Sequence, residues 1–361
     1  MTETRVTGLD LVQEAIEHGY QRGWSDGLPV VPASEERTAE FLATTGRPPD
    51  EVIGRFEQMR REVTVELAAI NAVMAGCLPE HFPLVLAAFD ALMAERAVVD
   101  GGWQSTSGPA PLIVVNGEVR HRLGLNSTAG ALGPGFRANA TVARAVGLIV
   151  LNGFGVRPHV FEQPTQGIPG RWAMCLGENE EESPWEPLSV DGALAPGTDG
   201  VSATLVRSFE YVDNRHTRNP EKLLADFADT LSRTGALVFR HGSAGVVFCP
   251  EHAQLLGDAG MTKDDVRRWL VEHCRRSSAD LRRVGKDGVT DTGVRYDLDG
   301  RPGTTVERIF DTAASPKDLM IMVAGARNAG ISTVVRLLGS WSQVTARVEP
   351  QRTAPAKEIH R

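Results

Sequence analysis

The sequence predicts an α/β protein built from two related helix–strand–helix units behind an N-terminal helical extension. Three observations predict it. Short β-branched apolar runs, LIVVN (112–116), GVVFC (245–249) and DLMIMVAG (318–325), alternate with longer stretches of helical apolar spacing. The segment IVVNGEVRHRLG (113–124) can be laid on VVFCPEHAQLLG (246–257) without a gap, pairing Glu118 with Glu251, Leu123 with Leu256 and Gly124 with Gly257. The helices before these segments lie a similar distance apart, roughly 135 residues, as a tandem duplication requires. Any two α/β units share a strand–turn–leucine pattern, so chance similarity stands beside duplication as an explanation.

Residues 9–22 place Leu9, Val12, Ile16 and Tyr20 at helical spacing, and Gly23 stops the helix. In GWSDGLPVVPASEER (23–37), Asp26-Gly27 signals a turn and Pro29 and Pro32 exclude a helix. Ser34 with Glu35, Glu36 and Arg37 reads as the capped start of a helix over 35–45. A long helix is expected over 57–76 from Met59, Val63, Leu67, Ile70, Val73 and Met74, and another over 83–95. LIVVN, bounded by Pro111 and Gly117, reads as a strand buried on both faces. A Gly-rich loop (130–139) then leads into a helix at 140–151. Residues 153–200 are rich in Gly and Pro, and so long a stretch without periodicity reads as functional or partner-facing. Helices at 219–233 and 262–276 flank the GVVFC strand, and DLMIMVAG is the last strand. The expected division is an extension over 1–54, a first α/β unit over 55–205, a second over 206–349 and a polar, flexible tail over 350–361.

Composition narrows the function classes. The 361 residues are 42% apolar and 23% charged, which excludes wholesale disorder. A net charge of −8 lacks the basic excess that phosphate neutralisation demands, and three tyrosines offer few stacking platforms, so nucleic acid is an unsuitable partner. No apolar run is long enough to cross a bilayer, and the N-terminus lacks a signal peptide's basic head and apolar core. Four widely spaced cysteines without a C-x-x-C pair fit reduced thiols. A soluble, cytoplasmic protein is expected.

Four groups of side chains are candidates for chemistry. Cys77, Glu80 and His81 lie in MAGCLPEHFP (74–83), where an imidazolium at helical spacing would lower the thiol's pKa. Pro79 interrupts that spacing, and a buried cysteine packing as a small hydrophobe is the plainer reading. RWAMCLGENEEESPWEPL (171–188) gathers Cys175, Glu178, Glu180 and further glutamates around Trp185. Such carboxylates can place a general base or hold a hard cation, with Trp185 as a pocket wall; a solvated acidic loop is the alternative. In LNSTAGALGPGFRANA (125–140), Asn126, Ser127, Arg137 and Asn139 would form an anion seat at a helix start, unless the glycines serve only turns. This bend and the stretch around Trp185 are expected to close over one cavity. Arg267, Arg268, Arg275, Arg276, Arg282 and Arg283 form a basic patch that an acidic protein could grip, or merely a solvated face. No H-E-x-x-H, G-x-S-x-G or Cys-rich run occurs, so neither a transition metal nor a cofactor is expected.

Five stretches in order carry a family resemblance: GWSDGLPVVPASEER, ELAAINAVMAGCLPEHFPLVLAA, LIVVNGEVRHRLGLNSTAGALGPGFRANAT, ENEEESPWEPL and CPEHAQLLGDAGMTKDDVRRWLVEH. Over most of residues 10–345 the chain resembles a bacterial family of large subunits encoded beside, or fused to, small thioredoxin-like proteins of the UGSC-motif type. The branch it looks like works in antibiotic biosynthesis as the large subunit of azabicyclohexane (aziridine) synthases of the azinomycin and ficellomycin type. The resemblance implies a hetero-oligomeric cyclase that closes a C–N ring with loss of sulfate, on a substrate tethered to an acidic amino-group carrier protein. Two departures stand out: Ser105-Thr106-Ser107 replaces a TTH-like stretch, and GARNAGIS (325–332) replaces a GGPGKH-like one. Under this reading Glu66, Glu80, Glu178 and Glu180 are the candidate bases, and the base may equally belong to the small partner. The alternatives are a non-catalytic scaffold for a small catalytic partner, or a thiol-dependent oxidoreductase using Cys77 or Cys175.

Overall fold

Ser34 and Thr64 each accept a hydrogen bond from the backbone N–H three residues on, Arg37 and Leu67, and each opens a helix. The computed structural model describes residues 8–99, 101–133, 135–236, 243–286, 306–308, 319–338 and 345–351. The chain begins with α1 (Gly8–Gln21), as the apolar spacing predicts, and α2 (Glu35–Leu42), which starts at the Ser34 cap as expected and stops three residues short of 45. The long helix expected over 57–76 is corrected. Val52–Phe56 (β1) and Arg61–Thr64 (β2) form an antiparallel hairpin, and only Val65–Ala75 (α3) is helical. Met59 and Val63 keep a helical interval, but Arg60 sits in the left-handed region at φ 50°, where a helix cannot pass. Gly76 at φ 87° ends α3, and α4 (Phe82–Ala94) and α5 (Arg96–Val99) follow.

The first run of sheet strands comprises β3 (Ala110–Asn116), then α6 (Val119–Arg122) and α7 (Arg137–Ile149), β4 (Met174–Gly177), α8 (Leu188–Asp191) and β5 (Gly200–Asp213). The second comprises α9 (Pro220–Leu231), β6 (Ala244–Phe248), α10 (Pro250–Asp258) and α11 (Lys263–His273). It continues through β7 (Arg275–Ser277), α12 (Ser278–Arg283) and β8 (Val306–Arg308) to β9 (Leu319–Val323), β10 (Ile331–Leu337) and β11 (Thr345–Arg347). The helix expected to reach residue 276 stops at His273, because Arg275–Ser277 leaves it to pair with β8. The tail expected to be flexible lies, from residue 352 on, outside the described residues.

Seven strands form one mixed sheet in the order β4-β3-β5-β10-β6-β9, with β11 added to the first residues of β5. The order is mirrored about its centre. β3 runs parallel to β4 and antiparallel to β5; β6 runs parallel to β9 and antiparallel to β10; β5 and β10 pair antiparallel in the middle. The division expected at 205/206 falls within β5, so the sheet is continuous across it. Alternation assigns side chains to layers. Ile113, Val115, Cys175 and Ala203 pack on α3, α4 and α7. Val246, Phe248, Ile321 and Val334 pack on α9 and α11. On the other face, Leu112, Leu176, Val247, Met320, Met322 and Val335 come from both edges of the sheet yet share one cluster, which requires the sheet to curl into a half-barrel.

Where the two edge strands end, they meet. The Asn179 N–H, two residues past β4, donates to Val323 O of β9 at 2.8 Å, and Asn179 Nδ2 donates to Gly325 O at 2.9 Å. Among the described residues no helix is long and apolar enough to cross a membrane.

Candidate binding site in the concavity of the sheet

Several of the side chains singled out in the sequence do converge, at the seam where β4 and β9 end. Glu178 is fully buried and accepts from Asn116 Nδ2 (2.6 Å), Leu188 N (2.7 Å) and Val323 N (3.3 Å). Glu180 accepts from Asn116 Nδ2 and Gly117 N, and faces Arg120 Nε at 3.1 Å. Asn126 and Asn139 bond to one another's loop, and Asn139 Nδ2 also donates to Cys175 O at 2.9 Å. Ser127 O accepts from Gly325 N across the seam. These polar atoms are spent on holding backbone, which makes the cluster a fastening of the fold. Burial pushes the Glu178 carboxyl above its ordinary range, against the opposing pull of Lys263.

The remaining predicted residues lie elsewhere. Arg137 Nε donates to Gly76 O at 2.9 Å, so it closes the α3 terminus and stands apart from the two asparagines. Trp185 packs on Phe248 and donates to Met261 O, against the cluster that joins α9 and α11 to β6, β9 and β10. Arg137 and the Trp185 ring thus engage different parts of the fold, whereas Asn126 and Ser127 of the bend meet Gly177 and Gly325 at the seam where Asn179 also bonds. Cys77 is buried and donates to Thr141 O, while His81 Nδ1 accepts from Leu78 N, so the candidate thiol–imidazole pair does not form and the cysteine packs as a small hydrophobe. Burial pushes the Cys77 thiol up to about 12 and the Cys175 thiol above that. Glu66 is exposed on the first turn of α3, and Glu80 is half-buried.

The basic patch is also corrected. Arg267 is 1% exposed and bridges Asp191, Asp264 and Leu319 O, so it is a core residue and presents nothing to a carrier. Arg268 pairs with Asp265, Arg276 with Asp229, and Arg275 lies 4.0 Å from Glu272. Arg282 and Arg283 lie on α12.

Charge at the rim of the seam is legible in its pH response. Arg120, hydrogen-bonded to Glu181, holds that carboxyl down to about 2. A folded-state pKa below the ordinary value means that the pair stabilises above the ordinary range and loses this contribution as pH falls from about 4.5 toward 2. In Glu181→Gln the difference in urea midpoint from the parent is therefore expected at neutral pH and should shrink toward pH 2. Glu181 is half exposed, so the difference is small.

An open cavity of about 510 Å³ occupies the concave side of the half-barrel. Its walls are Met174 of β4, Arg207, Phe209 and Tyr211 of β5, Leu132 from the Gly-rich loop, and the 167–170 loop. Positions 207, 209 and 211 share a strand face by the period of two. Tyr211 is 78% exposed, an uncovered aromatic at the rim. Arg207 Nε donates to Leu337 O at 3.1 Å; burial and the neighbouring Arg336 guanidinium push its pKa below the ordinary arginine range. Among the described lining residues there is no carboxylate and no imidazole. The arrangement offers aromatic and thioether walls to an apolar body, with the Arg207 guanidinium, itself engaged within the protein, as the positive charge nearest to an anionic group.

The sequence reading named the two loops of this cavity but missed its strand. The alternating apolar residues of VSATLVRSFEYV (201–212) carry the period-two signal that would have found it. Among the described residues, no group of three or more His, Cys, Asp or Glu side chains is arranged to hold a metal ion. No family model, curated protein or solved structure matches the chain.

Proposed function

We propose that the chain is the substrate-holding large component of a two-subunit biosynthetic enzyme, binding a small anionic metabolite, free or presented on an acidic carrier protein, in the concavity of its sheet. One observation carries this reading: the cavity is equipped to bind and orient, with Arg207, Phe209 and Tyr211, yet its described walls hold no carboxylate or imidazole to take a proton. A partner, here a small thioredoxin-like subunit of the UGSC type, would supply that group. In the ring-closing version, an amine nitrogen attacks the carbon bearing the sulfate ester. The C–N bond forms as the C–O bond breaks, sulfate leaves with the electron pair near Arg207, and the nitrogen's proton passes to the partner's base. The thiol-dependent alternative has less support, since burial keeps Cys77 and Cys175 protonated near neutrality.

We infer also that the two strand triplets descend from one duplicated unit. The mirrored pairing supports this, as does a repeated hydrogen bond. Glu178 N donates to Val115 O and Ala324 N to Phe248 O, each at 3.0 Å, and Val115 and Phe248 are residues that the gapless overlay of the two segments pairs.

Calorimetric titration with an aryl sulfate such as 4-nitrophenyl sulfate tests the binding part. Arg207→Met is expected to weaken binding roughly tenfold or more, the usual worth of a charged hydrogen bond. Tyr211→Ala should weaken it less. Equal affinity in the parent and Arg207→Met would remove the concavity as the anion site. Separate elution of the chain and a co-expressed UGSC-type small protein in size-exclusion chromatography would remove the two-subunit part.

A further inference from the structure

A second cavity, independent of the concavity, lies between α1, α3, the loop 24–33 and the end of α7, with a volume of about 550 Å³. Its floor is apolar, from Leu67, Ile70 and Met74 of α3. One wall is the Trp24 ring, 39% exposed; His18 stands edge-on to it at 5.5 Å, and the Arg22 guanidinium lies 5.4 Å from its centroid. Another part of the lining comes from where α7 widens into a π-helical turn, Val150–Phe154, a departure from regular helix that often accompanies function.

That turn carries Asn152 to the cavity, where its orientation is fixed. Nδ2 donates to Trp24 O (3.0 Å) and Asn71 Oδ1 (2.7 Å), and Asn71 Nδ2 donates to Leu67 O (2.8 Å). Both amides are thereby held, so the polar end of the cavity is preorganised rather than adaptable. Beside it, Arg157 Nη1 donates to Gly23 O at 2.5 Å. Among the described residues no other acceptor engages this guanidinium, which leaves most of its five donors for a ligand.

Arg157 lines the cavity and Arg22 flanks its tryptophan, whereas no Asp or Glu is among the described lining residues; Asp26 of the wall loop is paired with Arg144. The acids of α1, Asp10, Glu14 and Glu17, lie outside the lining. We propose that this cleft is a binding site for a small amphipathic carboxylate, its apolar body on Leu67, Ile70 and Met74 against Trp24 and its carboxylate on the free edge of Arg157. The planar fork of a guanidinium matches a carboxylate with two parallel hydrogen bonds, which neither a neutral hydroxyl nor an ammonium can reproduce.

Calorimetric titration of the full chain with octanoate, octanol and octylamine tests the proposal. Octanoate binds, octanol binds roughly tenfold or more weakly, and octylamine shows no measurable heat. Arg157→Gln keeps a donor for Gly23 O but removes the charge, and lowers octanoate to the affinity of octanol. Ala15→Leu, a helix-compatible change that fills the cleft from α1, abolishes binding of both and serves as the second variant should Arg157→Gln fold poorly. Equal binding of the three probes, absence of octanoate binding, or octanoate binding that survives in folded Arg157→Gln and Ala15→Leu each overturns the proposal. The last outcome would point to the concavity instead, so the two sites are separable.

Discussion

Glu178→Ala is expected to lower folding stability by about 3–5 kcal/mol, the range for removing one member of a buried charged network. The carboxylate has no exposed surface and accepts from three donors on three segments: Asn116 Nδ2 at the end of β3, Leu188 N at the start of α8 and Val323 N at the end of β9. Alanine leaves each donor buried without an acceptor, and an orphaned donor costs more than the bond it made contributed. Lys263 would lose part of its counter-charge but keep Asp191 at 2.8 Å. Urea unfolding followed by tryptophan fluorescence measures the change. A loss below about 1 kcal/mol would show that the seam carries little of the fold's stability.

Arg267→Ala is expected to cost a similar amount, again about 3–5 kcal/mol. Its guanidinium lies in the core, with Nε on Leu319 O at 3.0 Å and Nη2 on Asp191 Oδ2 at 2.5 Å. Burial pushes Asp191 upward, but the hydrogen bonds and charges of Arg267 and Lys263 outweigh it and hold the carboxyl below its ordinary range. Without Arg267 that balance tips, and Asp191 is left half-compensated in a poorly solvated place. Arg268→Ala, one residue away on the exposed face, should change stability by less than about 0.5 kcal/mol. The same urea series compares them, and near-equal effects would contradict the separation of core and surface roles on α11.

What the sequence disclosed of the fold followed from strong local signals. The runs LIVV (112–115), GVVF (245–248) and LMIMV (319–323) have no polar position and announce strands buried on both faces, and Ser34 and Thr262 announce helix starts through their caps. The hairpin β1–β2 hid because Met59 and Val63 imitate a helical interval; only the left-handed turn at Arg60, a tertiary choice, breaks it. Strand β5 hid because its period-two alternation slips at Leu205-Val206, where the register with β10 also shifts, though it is the longest described strand of the sheet. Of the site, the sequence showed which loops carry glycine and glutamate but not where they go. Asn126, Asn139, Glu178 and Glu180 looked like ligand-binding chemistry and instead satisfy backbone, since donors across the seam come from residues far along the chain. Arg267 looked exposed because helical spacing cannot say which partner, Asp191 on α8, will cover it.

The fastening between β4 and β9 has a consequence for the behaviour of this protein at high concentration. Among the described residues the outer strands of the sheet are β4 and β9; an outer strand can recruit another chain through amides and carbonyls left without partners, and short strands of four and five residues give little to recruit with. Because both strand ends are tied to one another, a local opening there would uncover two templates together rather than one. Self-association is therefore expected to begin at this point, with an order in protein concentration set by paired rather than single exposed borders.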